Sequence, residues 1–304
     1  MHPGADAPGS LSYAYGMTAD VITEVPPLAP RDPDANKGDF GRVLLVAGSR
    51  GMSGAAVLCA SAALRGGAGL VRLALPAGIL PIAAAGNPCY MTVPLPEDDQ
   101  GRFAAAAAAE VVSLLGQNTS AGLGPGLGRG DGVSAVVRAV LERTTLPLVV
   151  DADGLNALPP MLGVLKRRRG PTVLTPHPGE FGRLIGADAA AVQANRQDLA
   201  VRFAAEHGVV LVLKGRGTIV TDGRRLYVNT TGNPGMAAGG TGDVLTGLTA
   251  ALLGQKLEPF AAAQLAVYLH GLAGDLARDA LGETSLIAAD LLDYLPGAFL
   301  AHRH

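Results

Sequence analysis

One unit recurs along most of the chain and dictates its fold class. A short apolar run ends in small or polar residues, and a segment with helical spacing of its apolar residues follows. These units begin at 42–49, 70–76, 120–126, 145–154, 170–180 and 208–229, and the last is a strand followed by a hairpin. Apolar runs without alternation are typical of strands buried on both faces, and strands that alternate with helices pair in parallel. The pattern predicts an α/β fold: a mostly parallel central sheet with helices on both faces.

The N-terminal segment does not follow this pattern. Residues 1–38 are rich in Pro, Gly, Asp and Ala, and they predict an irregular lead-in with a short helix near Met17–Glu24. No linker composition interrupts residues 40–300. We therefore expect one domain over residues 39–304, and helical structure from Gly242 to the end.

Charge and composition exclude several classes of partner. The formal net charge is −2, and the one dense basic run, 166–169, is typical of a solvated helix end. No segment combines a charged start with the apolar run of a signal peptide, and no apolar window is long enough to span a bilayer. The sequence predicts a cytoplasmic protein that binds neither nucleic acid nor membrane.

A glycine-rich stretch, GNPGMAAGGTGD at 232–243, leads directly into an apolar helical segment. Gly239, Gly240 and Gly242 can adopt positive φ and place no Cβ in the path of a ligand. A helix that begins near Thr241 or Gly242 offers unpaired N–H groups to an anion such as phosphate. The alternative is an ordinary glycine turn. The chain has neither a Walker A loop nor a complete GxGxxG.

Asp243 falls in the first turn of that predicted helix. The helix dipole favours its ionised form there, and a carboxylate in that form can accept a proton from a substrate hydroxyl. The alternative is an acidic residue that merely stabilises the helix start.

Lys214 ends an apolar run in the segment KGRGT. A lysine there can meet a phosphate as a point charge, and Gly215 and Gly217 let the backbone approach the ligand. The alternative is a hairpin turn with a solvated lysine.

Two further loops carry polar side chains. His177 lies between two prolines in TPHPGE, which fix the backbone, and Glu180 begins the next helix. A rigid turn and a capping glutamate are the alternatives. Asp151 and Asp153 end a buried strand, and one of them either binds Mg²⁺ through water or caps a helix. His270 is interpreted as part of an ordinary helix face.

Several motifs, in order, resemble one known family. They are KGDFGRVLLVAGSRGMSGAA, GLGPGL, DADGLNAL, TVLTPHPGEFGRL, LKGRGTIV and NPGMAAGGTGDVLTG. Over roughly residues 36–300 the chain resembles the ADP/ATP-dependent NAD(P)H-hydrate dehydratases, which implies a ribokinase-like three-layer sandwich. The resemblance implies conversion of the S form of NADH or NADPH hydrate back to NADH or NADPH. ADP, or ATP, is the implied phosphoryl donor, accompanied by Mg²⁺, with release of AMP and phosphate when ADP is used.

The resemblance also implies residue roles. It makes Asp243 the base that activates the hydrate hydroxyl. The implied hydrate-binding residues are Ala55, Gly126, His177 and Asp243. The implied nucleotide-binding residues are Lys214, Gly215, Arg216, Gly217, Thr218, Gly239, Gly240 and Gly242. Gly239, Gly240 and Gly242 form the implied anion hole. Candidate Mg²⁺ ligands are Asp151, Asp153 and Glu180.

Many relatives carry an epimerase domain before this one, and 38 residues are too few for it. Either such a domain has been removed from this chain or, if the chain is natural, a separate epimerase interconverts the R and S hydrates. Relatives often form homotetramers. Two other functions are open from sequence. One is a ribokinase-like kinase for a vitamin precursor or sugar alcohol, and the other is a nucleotide sensor without turnover.

Overall fold

The computed structural model describes residues 10–13 and 17–302, and within them eleven strands form one sheet. The strands are β1 Ser10–Tyr13, β2 Met17–Val21, β3 Arg42–Val46, β4 Leu70–Pro76, β5 Met91–Leu95, β6 Ser120–Leu123, β7 Leu148–Val150, β8 Thr172–Leu174, β9 Val210–Leu213, β10 Ile219–Thr221 and β11 Arg225–Val228. The helices are α1 Ser53–Arg65, α2 Leu80–Gly86, α3 Ala107–Leu115, α4 Asp131–Arg143, α5 Ala152–Asn156, α6 Gly163–Arg167, α7 Pro178–Ile185, α8 Ala189–Ala194, α9 Arg196–His207, α10 Thr241–Gly254, α11 Pro259–Leu281 and α12 Ala288–Ala301.

The strand order is β1-β2-β11-β10-β9-β8-β7-β6-β3-β4-β5. All neighbours from β9 to β5 in this order pair in parallel. β9, β10 and β11 pair antiparallel, as the strand and hairpin predicted over 208–229 require. The predicted mostly parallel sheet is confirmed.

Alternate residues of each central strand face opposite sides of the sheet. On β3, Val43 and Leu45 belong to one buried apolar cluster, and Leu44 and Val46 belong to another. The first cluster is covered by α1, α10, α11 and α12, and the second by α3, α4, α6, α7 and α9. Helices on both faces of the sheet complete the predicted three layers.

The lead-in is not irregular throughout, and the short helix predicted near Met17–Glu24 is wrong. Residues 17–21 form β2, which pairs in parallel with β11. The N–H of Asp20 donates to the carbonyl of Arg224 at 2.8 Å, and the N–H of Ile22 donates to Leu226 at 2.8 Å. The exposed edge of β11 supplies backbone partners that local sequence does not reveal, and this pairing overrides the weak local helix preference. Residues 1–9 and 14–16 of the predicted lead-in lie outside the described residues.

Within residues 10–13 and 17–302, no helix combines the length and the apolar character needed to cross a bilayer.

Candidate active site

The loops that the sequence singles out meet at one edge of the sheet. They follow β3, β6, β7, β8 and β9, which are neighbours in the parallel part of the sheet. Backbone bonds hold the loops together: Gly48 N–H donates to Pro125 at 2.8 Å, and Lys214 N–H donates to Pro176 at 2.9 Å. The buried Ser49 hydroxyl donates to the Gly126 carbonyl at 2.8 Å. In open α/β sheets, ligands bind beyond the carboxyl ends of the strands, and this edge is such a place.

The N-terminus of α10 opens towards these loops. The helix begins at Thr241, as predicted, and Gly240 before it has a φ of 95°. Among the described residues, no protein acceptor is bonded to the backbone N–H groups of residues 239–243. A Cβ added at Gly239 would meet no heavy atom within 4 Å. These free donors and the open space beside them form a cradle for an anion.

Asp243 is the third residue of α10 and is partly buried. Burial raises the pKa of Asp243 to about 7, and the Asp151 carboxylate adds to this rise, while the Lys214 ammonium opposes it. The helix dipole favours the ionised form, but in the protein without ligand desolvation and a neighbouring carboxylate outweigh it. A carboxyl group with this pKa exchanges protons readily at neutral pH.

Lys214 lies beside Asp243 in a compact charge cluster. Its ammonium donates to Asp151 Oδ1 at 2.8 Å and lies 3.9 Å from Glu180 Oε2. The Thr246 hydroxyl donates to the second oxygen of Asp151 at 2.8 Å. Burial alone would lower the pKa of Lys214, but the Asp151 and Glu180 carboxylates raise it above its ordinary value. Lys214 is therefore a cation, and it is not the solvated lysine of a plain hairpin.

Gly242 makes room for this cluster. A Cβ at Gly242 would lie 3.2 Å from Lys214 Nζ and 3.5 Å from Asp151 Oδ2. The absence of a side chain lets the first turn of α10 approach both charges, and the predicted nucleotide residues Lys214 and Gly242 are brought together.

His177 is the N-cap of α7, and its geometry matches the rigid turn and capping glutamate that the sequence left open. Its Nδ1 accepts from Gly179 N–H at 3.0 Å and Glu180 N–H at 3.3 Å, and Glu180 Oε2 accepts from His177 N–H at 2.8 Å. Burial lowers the pKa of His177, so the ring is neutral at pH 7 with its hydrogen on Nε2. Nε2 lies 3.6 Å from Glu180 Oε1, and the half-exposed ring lines the cavity described below.

The three candidate magnesium ligands make contacts with other groups of the protein. Within the described part of the chain, no group of three or more His, Cys, Asp or Glu side chains is placed to hold a metal ion. Both oxygens of Asp151 are taken by Lys214 and Thr246, and Asp153 accepts from Gly128 N–H at 2.8 Å and from Asn156 at 3.0 Å. Glu180 is occupied by its capping contact.

Ala55 and Gly126 are brought together, as the resemblance implies for one pocket. Gly126 has a φ of 62°, and a Cβ added to it would lie 3.0 Å from the Ala55 Cβ and 2.9 Å from the Met52 carbonyl. Any larger residue at 126 would collide with the start of α1.

A cavity of about 1320 Å³ lies beside the α10 N-terminus. Its lining includes the predicted nucleotide residues Lys214, Gly215, Arg216, Gly217, Thr218 and Gly242, together with His177. Residues 229–234 and part of α11 form the rest of its wall. The volume is large enough for a nucleotide, because ligand pockets commonly measure about 300–1,000 Å³.

Two residues of α11 that sequence reasoning did not select support this cavity. The ring Nε2 of His270 lies 2.8 Å from the Thr241 carbonyl. Burial lowers the pKa of His270 to about 4, so the neutral ring donates this bond. Asp275 accepts from Gly232 N–H at 2.8 Å and from Asn233 Nδ2 at 3.1 Å, and so holds the glycine-rich loop.

A local signal for this contact exists in the sequence, in the segment HGLAGD at 270–275. A Cβ at Gly271 would lie 2.2 Å from Thr231 Oγ1, and one at Gly274 would lie 2.2 Å from Met236 Sδ. Two glycines inside a helix indicate the close approach of another segment, here the loop that precedes α10.

The fold and this edge site define a ribokinase-like protein. The chain superposes on a ribokinase-like superfamily protein from Enterococcus faecalis with a TM-score of 0.79 and 26% identity, covering 99% of each chain. The order of layers and the mostly parallel sheet agree with that class.

The family follows from closer matches. A family model described as NAD(P)H-hydrate dehydratase matches residues 43–297, and the chain belongs to this family. It is 46% identical over 271 residues to the bifunctional NAD(P)H-hydrate repair enzyme Nnr of Moorella thermoacetica, covering 88% of this chain and 51% of that protein. It also superposes on the ADP/ATP-dependent NAD(P)H-hydrate dehydratase of Bacillus subtilis, co-crystallised with ATP/Mg²⁺, with a TM-score of 0.79 and 32% identity, covering 91% and 95% of the two chains. The chain spans about half the length of the Moorella relative.

Proposed function

We propose that this protein is an ADP-dependent NAD(P)H-hydrate dehydratase, which returns the S form of NADH or NADPH hydrate to NADH or NADPH and releases AMP and phosphate. The observation that carries the proposal is the position of Asp243. Its carboxyl group, with a pKa of about 7, lies at the end of a row of free N–H donors and beside the Lys214 cation. Family membership and the nucleotide-bound Bacillus relative support the same activity.

The first step is transfer of a phosphoryl group to the hydroxyl of the hydrate. Asp243 accepts the hydroxyl proton as the oxygen bonds to the terminal phosphorus and AMP leaves with the bridging oxygen. The free N–H groups of residues 239–243 stabilise the negative charge on the transferred group, and Lys214 adds a positive charge nearby.

The second step is elimination. Hydroxide is a poor leaving group, whereas phosphate is a good one. Loss of phosphate together with a proton from the adjacent carbon forms the double bond, and the reduced nicotinamide is restored. We propose that Ala55, Gly126 and His177 hold the hydrate during both steps, with His177 donating from Nε2.

We propose that Mg²⁺ accompanies the nucleotide. Magnesium usually keeps several waters and binds through substrate phosphates with one or two carboxylates, so a site without three converging side chains fits this ion. When bound, the ion neutralises charge on the phosphates. Asp151 and Glu180 lie 2.8 Å and 3.9 Å from the Lys214 ammonium and are the carboxylates that we propose for this role, whereas Asp153 accepts a hydrogen bond from the Gly128 N–H.

Product analysis tests the reaction. Wild-type protein is incubated with purified S-hydrate and Mg²⁺, with ADP and ATP in parallel, and the products are separated by chromatography. The proposal predicts equal amounts of reduced nicotinamide, inorganic phosphate and AMP with ADP. A stable phosphoester would instead identify a kinase. Nucleotide binding without any turnover would identify a sensor.

We further propose a homo-oligomer, with a tetramer as the implied state, that works in the cytoplasm beside an epimerase that interconverts the R and S hydrates. Exposed apolar side chains at the sheet edge support self-association: Ile82 on α2 is 59% exposed and Met91 on β5 is 42% exposed. The bifunctional name of the Moorella relative supports a second repair activity alongside this one. Light scattering that shows a monomer would refute the oligomer.

A further inference from the structure

The loop after β9 is held by one guanidinium group. Arg196 is the first residue of α9, and its Nη2 donates to the carbonyls of Leu213 at 3.0 Å, Lys214 at 3.4 Å and Gly217 at 3.4 Å. Its Nη1 donates to the Arg216 carbonyl at 3.3 Å. Four of the five carbonyls of residues 213–217 therefore point to one side chain.

The fifth carbonyl is also occupied. The Thr218 hydroxyl donates to Gly215 at 2.9 Å. In contrast, the N–H groups of residues 215–218 are bonded to no protein acceptor among the described residues, and all four residues line the 1320 Å³ cavity. The carbonyl oxygens of the loop are therefore bonded to protein groups, whereas its backbone N–H groups are available to a ligand.

Successive free N–H groups in a loop with left-handed residues form a concave site that binds anions. Gly215 has a φ of 135° and Gly217 has a φ of 61°. These positive values bend the backbone of the loop into a turn of this kind. Carbonyl oxygens carry negative partial charge, and any that faced the cavity would repel a phosphate. A cation that binds those carbonyl oxygens on the side of the loop away from the cavity removes this repulsion and stabilises the turn.

We propose that Arg196 is a positioning residue for nucleotide binding, which shapes residues 213–218 into an anion-binding loop without touching the nucleotide itself. The inference rests on the proposed function, because it assigns a support to the nucleotide-binding segment.

The packing shows that the loop and the arginine fit each other closely. A Cβ at Gly215 would lie 2.6 Å from Arg196 Nη1, so a side chain at 215 would displace the guanidinium from its present position. Arg196 Nε is buried and has no hydrogen-bond partner in the described structure, so the bonds of Nη1 and Nη2 are made at some cost in free energy. Burial lowers the pKa of Arg196, but a guanidinium remains charged in proteins. Lysine has three donors on one atom and cannot span the same four carbonyls.

The test compares R196A and R196K with wild type. R138A is the matched control, because Arg138 is a half-exposed arginine on α4 whose ion-pair partner is Glu142 at 3.8 Å. The first readout is the backbone amide NMR signals of Gly215, Arg216, Gly217 and Thr218 in the protein without ligand. The second is the affinity for ADP by calorimetry. The third is steady-state kinetics with varied ADP, which gives kcat and the KM for ADP as separate values.

We expect R196A to shift and broaden the four amide signals, to weaken ADP binding at least about 10-fold, and to raise KM more than it lowers kcat. R196K should show a smaller change in the same direction, and it carries the test if R196A does not fold. Ethylguanidinium should restore part of the affinity of R196A, which a general loss of packing would not allow. R138A should resemble wild type.

Unchanged loop signals or unchanged ADP affinity in a folded R196A or R196K would overturn the role of Arg196. If wild type binds no adenine nucleotide, the proposed function fails instead, and the NMR readout still decides whether Arg196 shapes the loop.

Discussion

Burial gives Asp243 a pKa suited to the base catalysis that we propose for it. Its pKa of about 7 arises first from burial and then from Asp151, with Lys214 limiting the rise. A base is most effective when its pKa lies near the working pH, because it is then both available and sufficiently basic. The same charge cluster that holds Lys214 therefore sets the proton affinity of Asp243.

The pH dependence of turnover follows from this pKa. Only ionised Asp243 accepts a proton, so kcat/KM for the hydrate should fall as pH decreases below about 7 and level off above it. Initial rates at saturating ADP and low hydrate, from pH 5 to pH 9, measure this profile. A rate independent of pH across this range would contradict Asp243 as the base.

The contribution of Asp243 to the free energy of unfolding should decrease as pH rises, whereas kcat/KM increases. The folded-state pKa of Asp243 is raised above its unfolded value. Its contribution to the free energy of unfolding is therefore fully present below about pH 4 and is lost as pH rises through about 7. Asp243→Asn removes this penalty, and we expect it to increase the free energy of unfolding by roughly 1–3 kcal/mol at pH 8 with little effect near pH 4. Urea titrations of both proteins at the two pH values check this. If Asp243→Asn is less stable than wild type at pH 8, ionisation of Asp243 does not destabilise the folded protein.

Lys214 should serve both the nucleotide and Asp243. Lys214→Ala removes a cation beside the proposed phosphate site, so we expect at least about 10-fold weaker ADP binding by calorimetry. Because Lys214 lowers the pKa of Asp243, its loss should also move the fall in kcat/KM to higher pH. Lys166→Ala is the control, since Lys166 pairs with Glu206 on the surface. Unchanged affinity for ADP would return Lys214 to a purely structural role.

At the scale of elements, the position of α10, which carries the proposed base, depends on close contact with α1. A Cβ at Gly247 of α10 would lie 1.9 Å from the Cys59 carbonyl on α1. Glycine at this position lets the two backbones meet, and the contact fixes where the α10 N-terminus lies.

Gly247→Ala should therefore destabilise the protein by about 1–3 kcal/mol or more, because the helices must move apart. Thermal denaturation measures the effect. Gly54→Ala is the matched control, since Gly54 lies in α1 and a Cβ there would meet nothing within 4 Å. We expect the control to leave stability unchanged or slightly raised. An equally stable Gly247→Ala would show that the contact does not restrict the helices.

The elements that the sequence predicts are those encoded locally. The buried strands, the hairpin after β9 and the start of α10 each have a local pattern of apolar runs and glycines. β2 was missed because its partners lie on β11, about two hundred residues away along the chain. Arg196 and Asp275 were missed for the same reason: their bonds to residues 213–217 and 232–233 join separate elements. The raised pKa of Asp243 could not be predicted either, because the burial and the Asp151 contact that cause it arise only when the layers of the fold assemble.

At the scale of the whole molecule, the parallel sheet brings residues from distant parts of the chain to one edge. β3, β6, β7, β8 and β9 end side by side, and the helix that follows the hairpin covers their ends. In the proposed reaction, the loops after these strands hold the substrate, while α10 supplies the base and the anion cradle. The same scaffold is shared with ribokinase-like proteins, so the activity depends on the side chains at this edge.

In the proposed reaction, Asp243 removes the hydroxyl proton while the free N–H groups at the start of α10 stabilise the transferred phosphoryl group. The most direct measurement is the rate of appearance of reduced nicotinamide from the S-hydrate with saturating ADP and Mg²⁺, in wild type and Asp243→Asn, with ADP affinity measured on the same samples. We predict that kcat falls at least about 100-fold while ADP still binds. A variant with near-normal kcat would contradict the account.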